Sequence, residues 1–244
     1  MTTVELDRVH DDLAQVALAL ARRFAREATM WCVSPAAPHH ARHVAVEFVH
    51  PVMVGKRALP AVALPAIDAV AGLRASVRAG DIVVLIASAD DPAAAEVARR
   101  APAWGVLTVW LGDGPRPAPG AADHLLWLDQ PGASHDGRFI LLYHLLWELT
   151  HVCFEHAGTR LLDAEVDAGT ACVTCADEGR LAEIVAVDGD TATARVEGHL
   201  ETVDTTLVAP VAPHDLVLVH AGTALSTLDA AAGPNNGTPT GSVR

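Results

Sequence analysis

The sequence is short of lysine, of aromatic residues and of basic clusters. Of its 244 residues only Lys56 is a lysine, and 17 basic residues face 30 acidic ones, which gives a formal net charge of −13. An acidic chain without a basic cluster lacks the counterpart of a phosphate backbone or an anionic headgroup, so neither nucleic acid nor a membrane surface is an expected partner. Because 51% of the residues are apolar and only 4% aromatic, we expect a folded chain whose core is mainly Ala, Val and Leu.

A long apolar run is also missing from the sequence, and a secretory leader is not expected. Residues 1–15 carry acidic side chains where a signal peptide needs a basic and then an apolar stretch. The most apolar stretch, residues 139–154, contains His144, Glu148 and His151 and is too short and too polar to span a bilayer. We therefore expect a soluble, cytoplasmic protein, in which four cysteines do not form a disulfide framework.

Residues 1–157 alternate between helical and strand patterns. The continuous run 81–87 is rich in β-branched residues and is typical of a strand buried on both faces. Asp91 and Pro92 then provide a helix N-cap and a first-turn proline. Helical spacing recurs at 7–28, 38–49, 67–77 and 134–155, and short apolar runs at 30–33, 59–64, 105–111 and 124–128. This alternation predicts an α/β fold with a doubly wound parallel sheet.

From about residue 171 the apolar period changes to two. Strands are expected at 180–187, 191–197 and 200–208, with a last strand at 216–220, and turn signals separate them. Several short strands in about 50 residues predict a small β-barrel. The expected organisation is therefore an α/β domain at 1–157, a linker at 158–170, a barrel at 171–230 and a disordered tail at 231–244.

Two of the four cysteines, Cys172 and Cys175, form a CxxC motif in a polar segment. By itself this motif fits half of a zinc site, a redox pair or a chance occurrence. A second CxxC is missing, and a thioredoxin-type pair would stand between a strand and a helix rather than before a barrel. The residues leave two interpretations open: an exposed thiolate pair available to a soft metal or a partner's thiol, or two structural cysteines.

The CxxC motif, the Asp188-Gly189-Asp190 turn and the strands at 203–208 and 216–222 resemble, in collinear order, the HypC/HupF family of [NiFe]-hydrogenase maturation chaperones. The resemblance implies a small barrel that handles iron carrying cyanide and carbonyl ligands, the Fe(CN)2CO fragment. It also implies two partners, a HypD-like scaffold protein and then the hydrogenase large-subunit precursor.

The same resemblance places the family's essential cysteine on Cys172 and its functional histidine on His220, with Cys175 as a further thiolate nearby. In the family this cysteine follows the initiator methionine, whereas here Ala171 precedes it, so that no free α-amino group lies beside the thiolate. Without the resemblance, His220 would be an ordinary strand histidine.

The N-terminal half resembles the SIS (sugar isomerase) fold, and within it the phosphoheptose isomerases. The matching segments are 43–51, 54–60, 80–86 and 143–148. The resemblance implies two phosphate-binding loops, near Ser34 and Ser88, that present backbone N–H groups and hydroxyls at helix N-termini. These loops have lost their glycines and most hydroxyls and have gained prolines and the acidic pair Asp90–Asp91. We therefore expect no functional phosphate site.

A possible metal site is better preserved. His43 and Glu47 are spaced i, i+4, which lets both reach one ion from a single helix face. The SIS resemblance adds His144 and places the family's glutamine ligand near Asp136. These four residues predict a zinc or nickel site, and the alternative is a polar core cluster without metal.

The main functional hypothesis is a non-enzymatic hydrogenase assembly factor, whose SIS-like half serves homo-oligomerisation or docking. One alternative is a metal-dependent sugar-phosphate isomerase with Glu47 and His144 as acid–base groups, and another is a non-catalytic SIS oligomer that senses a ligand.

The tryptophans and the remaining histidines are expected to have structural rather than functional roles. Trp104, Trp110, Trp127 and Trp147 are expected in the core, and His39, His40, His50, His124, His151 and His156 at the surface or at helix ends.

Overall fold

The structure, a computed structural model, describes residues 3–51, 53, 55–65, 67–129, 132, 137–156 and 179–228. It contains two compact units, an N-terminal unit and a C-terminal unit, which are described separately below. The predicted linker at 158–170 and the predicted tail at 231–244 lie outside the described residues.

The N-terminal unit is built around a parallel five-stranded sheet. Its helices are α1 (Thr3–Ala25), α2 (Pro38–Val49), α3 (Ala69–Ser76), α4 (Pro92–Trp104) and α5 (Arg138–His156). Its strands are β1 (Met30–Val33), β2 (Ala61–Ala63), β3 (Ile82–Ile86), β4 (Leu107–Asp113) and β5 (His124–Leu128). The strand order is β2-β1-β3-β4-β5, and every pair is parallel.

Helices cover both faces of this sheet. Met30, Ile82 and Val84 belong to one apolar cluster that also contains buried residues of α1, α2 and α5. Side chains alternate along a strand, so Val83 and Leu85 point to the opposite face, where they are also buried. None of the buried residues of α4 belongs to the first cluster, and α4 packs against β4. The predicted doubly wound parallel sheet is confirmed.

Local sequence signals explain where two of the helices begin. Pro38 stands in the first turn of α2, where its missing N–H costs nothing. The Asp91 side chain caps α4, and Pro92 is the first helical residue. Both starts agree with the sequence prediction. Helix α5 begins at Arg138, and residues 134–136, with which the predicted helix began, lie outside the described residues.

The C-terminal unit is a closed barrel. Its strands are β6 (Arg180–Asp188), β7 (Thr191–Val196), β8 (His199–Asp204), β9 (Leu216–His220) and β10 (Thr223–Thr227), in the order β10-β8-β7-β6-β9. The predicted barrel is confirmed, but β9 is not its last strand. Ala221 and Gly222 form a two-residue turn with φ of 49° and 80°, after which β10 pairs antiparallel with β9. Because Ala-Gly is a weaker hairpin signal than Asn-Gly, the sequence pattern did not predict β10.

The four tryptophans predicted in the core are buried. The prediction for His151 was wrong, because it is 0% exposed and lies inside α5; His40 lies in the first turn of α2, as a helix-end residue, but is only 2% exposed. His40 shares the buried face of α2 with Val44 and Phe48. The ring nitrogens of His151 each lie 3.0 Å from a carbonyl oxygen, one of Trp147 and one of Arg57.

None of the helices in the described ranges combines the length and apolarity needed to cross a bilayer.

Candidate metal centre

Helices α2 and α5 bring three of the four predicted metal ligands together. His43 and Glu47 lie one turn apart on α2, with His43 Nε2 3.3 Å from Glu47 Oε1. His144 reaches them from α5, with its Nε2 3.4 Å from Glu47 Oε1 and 3.2 Å from His43 Nε2. The fourth predicted ligand, Asp136, lies outside the described residues.

The spacing of these donor atoms fits one small cation. Donor atoms around a tetrahedral zinc ion, with bonds of about 2.0–2.1 Å, lie about 3.3 Å apart. The three separations, from 3.2 to 3.4 Å, match this value with no movement of the backbone. Two imidazole nitrogens and a carboxylate oxygen are also donors that zinc and nickel accept.

The candidate centre is accessible to solvent. The side chains of His43 and His144 are 37% and 44% exposed, and that of Glu47 is 18% exposed. An ion bound by these three residues alone would therefore keep a coordination position for water or for a further ligand, such as the predicted Asp136. Zinc sites with three protein ligands and an open position are typical of catalysis, whereas structural zinc sites are closed by four.

Tyr143 forms a hydrogen bond with His43 on the ring nitrogen that does not face Glu47 and His144. It was not among the predicted site residues. A hydrogen bond of 2.9 Å joins Tyr143 Oη and His43 Nδ1. Burial raises the pKa of Tyr143 to about 12, with a smaller contribution from the charge of Glu47, so the phenol stays neutral. When His43 binds an ion through Nε2, its Nδ1 carries the proton and donates it to the Tyr143 oxygen, which fixes the ring orientation.

The predicted phosphate loops form a small cavity at the carboxyl ends of β1 and β3. This cavity of about 290 Å³ is lined by Ser34, Ser88 and Asp113, among others. The Ser34 hydroxyl is buried and donates to the carbonyl oxygen of Ile86 at 2.8 Å. Asp113 is buried, and its Oδ2 has no hydrogen-bond partner in the part of the chain that the structure describes. This adds a carboxylate to a place where an anion would need donors.

A carboxylate of the chain itself occupies the start of α4. Asp91 Oδ1 accepts hydrogen bonds from the backbone N–H groups of Ala93 and Ala94, at 2.9 and 3.0 Å. These are amides that a phosphate would otherwise use at a helix N-terminus. A phosphate that binds here would therefore have to displace the carboxylate of Asp91, which is part of the chain itself.

The barrel carries one predicted site residue within the described ranges, His220. It ends β9, is partly buried, and lies opposite Thr223 in the β9–β10 hairpin. Cys172 and Cys175 lie outside the described residues, so their distance from His220 stays a prediction.

Comparison with known proteins gives different results for the two ends of the chain. Residues 181–234, under a quarter of the chain, match the model of the HupF/HypC family. No curated protein matches the chain.

Solved structures similar to this chain include two phosphoheptose isomerases. The enzyme from Francisella tularensis is 15% identical over 58% of this chain and 86% of its own, with a TM-score of 0.49. The enzyme from Neisseria gonorrhoeae is 18% identical over 60% of this chain and 90% of its own, also with a TM-score of 0.49. The sugar isomerase domain of an RpiR transcription factor from Sphaerobacter thermophilus is 18% identical over 62% of this chain and 87% of its own, with a TM-score of 0.40.

Proposed function

We propose that this chain is a non-enzymatic assembly factor for [NiFe]-hydrogenase, and that its barrel helps deliver the Fe(CN)2CO fragment to the large subunit. The observation that carries the proposal is the match of residues 181–234 to the HupF/HypC family. Cys172 and Cys175 stand directly before this segment in the sequence. Cys172 binds the iron cargo, because a thiolate suits iron with strong-field ligands, and Cys175 and the His220 imidazole assist.

The proposed partners are a HypD-like scaffold and the precursor of the large subunit. Residues 171–244 contain three basic and ten acidic residues. Such a charge balance favours partner surfaces that are basic, because complementary charges accelerate encounter and fix the orientation of docking.

The experiment is a pull-down from cells that express a HypD-like scaffold, combined with a hydrogenase activity assay. Cys172→Ser is expected to abolish both scaffold binding and maturation. Cys153→Ser is the matched control, because Cys153 is a free cysteine on α5, far from the CxxC motif in sequence. If Cys172→Ser leaves binding and maturation at the level of Cys153→Ser, the proposal fails.

The N-terminal unit is proposed to dock or to form homo-oligomers. Leu141, Leu145 and Val152 follow one side of α5 and are 62%, 39% and 41% exposed. An apolar stripe of this kind on a helix surface is a feature of interfaces. Leu141→Glu combined with Leu145→Glu should lower the mass measured by analytical ultracentrifugation. Leu200→Glu, which changes a leucine of the barrel that is equally exposed, should not.

The geometry of His43, Glu47 and His144 favours a second candidate function, a metal-dependent sugar-phosphate isomerase. In that case the bound metal would polarise a substrate carbonyl, and Glu47 and His144 would move protons. The carboxylate of Asp91 at the start of α4 argues against binding of a phosphorylated sugar. Sedoheptulose 7-phosphate should therefore give no micromolar binding in isothermal titration, and turnover that is lost in Glu47→Gln would establish the isomerase instead.

The zinc proposed for His43, Glu47, His144 and Asp136 can be separated from the iron cargo by elemental analysis of purified protein. His43→Ala should remove the zinc and leave the iron-dependent function, whereas Cys172→Ala should leave the zinc. Loss of zinc only on Cys172→Ala would contradict this site.

A further inference from the structure

A second cavity of the N-terminal unit lies at the amino ends of the strands, on the sheet edge opposite Ser34 and Ser88. Its volume is about 640 Å³. Thr29 and Asp81, the residues before β1 and β3, line it, together with residues at the ends of α1 and α3. This size lies within the range of small-molecule sites.

Three arginines converge on this cavity, which we call the arginine pocket. Arg23 comes from the last turn of α1, Arg26 from the residues directly after α1, and Arg78 from the segment after α3. Within the described ranges, none of the three guanidinium groups takes part in a hydrogen bond or ion pair. This is unexpected in a chain with 30 acidic residues for 17 basic ones.

Two acids line the pocket, the exposed Glu27 and the buried Asp81, and within the described ranges neither forms an ion pair with the three arginines. Asp81 accepts three hydrogen bonds, from the backbone N–H of Thr29 at 2.9 Å, from Trp31 Nε1 at 3.0 Å and from the backbone N–H of Arg78 at 3.0 Å. Its carboxylate therefore holds the indole ring of Trp31 and the backbone of Arg78 in place. These hydrogen bonds fix this part of the pocket lining without a ligand.

The arginine charges are also held in an unfavourable setting. Burial lowers the pKa of Arg23; the negative charge of Asp123 opposes this shift, and the positive charge of Arg26 adds to it. The carboxyl ends of α1 and α3 present backbone carbonyls here, which attract cations rather than anions. Any affinity of this pocket for anions must therefore come from the arginines themselves.

We propose that the arginine pocket binds a phosphate-bearing small molecule. Guanidinium groups hold phosphate oxygens with paired, charge-assisted hydrogen bonds, and three of them can surround one polyanion. The Thr29 and Ser76 hydroxyls are further donors at the wall, and Trp31 offers an apolar surface to the rest of the ligand. This site is independent of the metal centre and of the hydrogenase assembly role.

The test is isothermal titration of the full chain with inorganic pyrophosphate, at fixed ionic strength and after removal of divalent cations. We expect one saturable site. Arg23→Gln and Arg78→Gln should each weaken binding about tenfold, as expected for the loss of a charge-assisted hydrogen bond. Arg26→Gln is a second variant at an exposed position, which keeps the test decisive if Arg23→Gln does not fold.

Arg116→Gln is the matched control, because it removes the same charge from an arginine that is already paired with Asp12 at 3.0 Å. It should change the affinity less than about twofold. Absence of pyrophosphate binding at millimolar concentration would overturn the proposal, and so would equal weakening by Arg116→Gln. Binding of an octaglutamate peptide but not of pyrophosphate would also overturn it, since the pocket would then serve an acidic protein segment.

Discussion

The phenolic oxygen of Tyr143 lies 2.9 Å from Nδ1 of His43, on the side of the imidazole ring that faces away from Glu47 and His144. When the phenolic oxygen accepts this hydrogen bond, the proton of His43 is on Nδ1 and the lone pair of Nε2 is free to bind a metal ion. The adjacent residues Tyr143 and His144 therefore have different roles at one site. Tyr143 orients the metal ligand His43, and His144 is itself a metal ligand.

Tyr143→Phe should weaken zinc binding without removing a ligand. Loss of a hydrogen bond that orients a metal-binding histidine typically costs about 10–100-fold in affinity. The measurement is competition for zinc against a chromophoric chelator. His39→Ala, an exposed histidine of α2, is the control and should leave the affinity unchanged. An unchanged zinc affinity in Tyr143→Phe would contradict the orienting role.

Asp91→Ala should destabilise the N-terminal unit by about 1 kcal/mol, because the N–H groups of Ala93 and Ala94 lose their capping carboxylate. Urea denaturation followed by circular dichroism measures this change. Asp90→Ala is the matched control, since it removes a neighbouring, exposed acid that does not cap α4. Equal effects of the two substitutions would show that general charge, and not the cap, is responsible.

Asp81→Ala should cost about 2–3 kcal/mol, because it leaves the Trp31 indole N–H and two backbone N–H groups without their acceptor. The free energy of unfolding from urea titration is the measurement. Asp12→Ala removes an acid whose recorded partner is a surface arginine, and should cost less than about 1 kcal/mol. A similar loss in both variants would argue against the three-donor arrangement.

Cys32 should resist alkylation in the native chain. It is fully buried in β1, and this burial raises the pKa of its thiol, so that neither access nor thiolate is available. Burial also raises the pKa of Cys153, which is only partly covered. Peptide mass spectrometry after iodoacetamide treatment should find Cys172 and Cys175 labelled first and Cys32 only after unfolding. Rapid native labelling of Cys32 would place it outside a packed core.

Sequence reasoning predicted those parts of the fold that depend on local signals. Helix α2 and strands β1 and β5 have the predicted bounds, because Pro38 and the short apolar runs mark them. Strand β10 was missed, since its residues alternate weakly and its turn lacks an Asn-Gly pair. Strand β4 was predicted to end at Leu111 but continues to Asp113, where Gly112 interrupts the apolar run.

The residues of the candidate sites also fall into those that local sequence signals predict and those that they do not. The pairing of His43 with Glu47 follows from helical spacing alone, whereas His144 required a family resemblance, because nothing local relates positions 101 apart in sequence. Tyr143 gave no signal beyond its place in an apolar helix. The arginine pocket was not predicted either, because Arg23 and Arg78 come together only when β1 and β3 pair in the sheet.

The span between the two histidines has a thermodynamic consequence. An ion held by His43 on α2 and His144 on α5 would be a cross-link that closes a loop of about 100 residues. An unfolded chain that kept the ion bound to both histidines would lose conformational entropy, because the loop would stay closed. Zinc at a thousandfold excess over its dissociation constant would stabilise the folded chain by about 4 kcal/mol. The melting temperature would then report directly on metal occupancy.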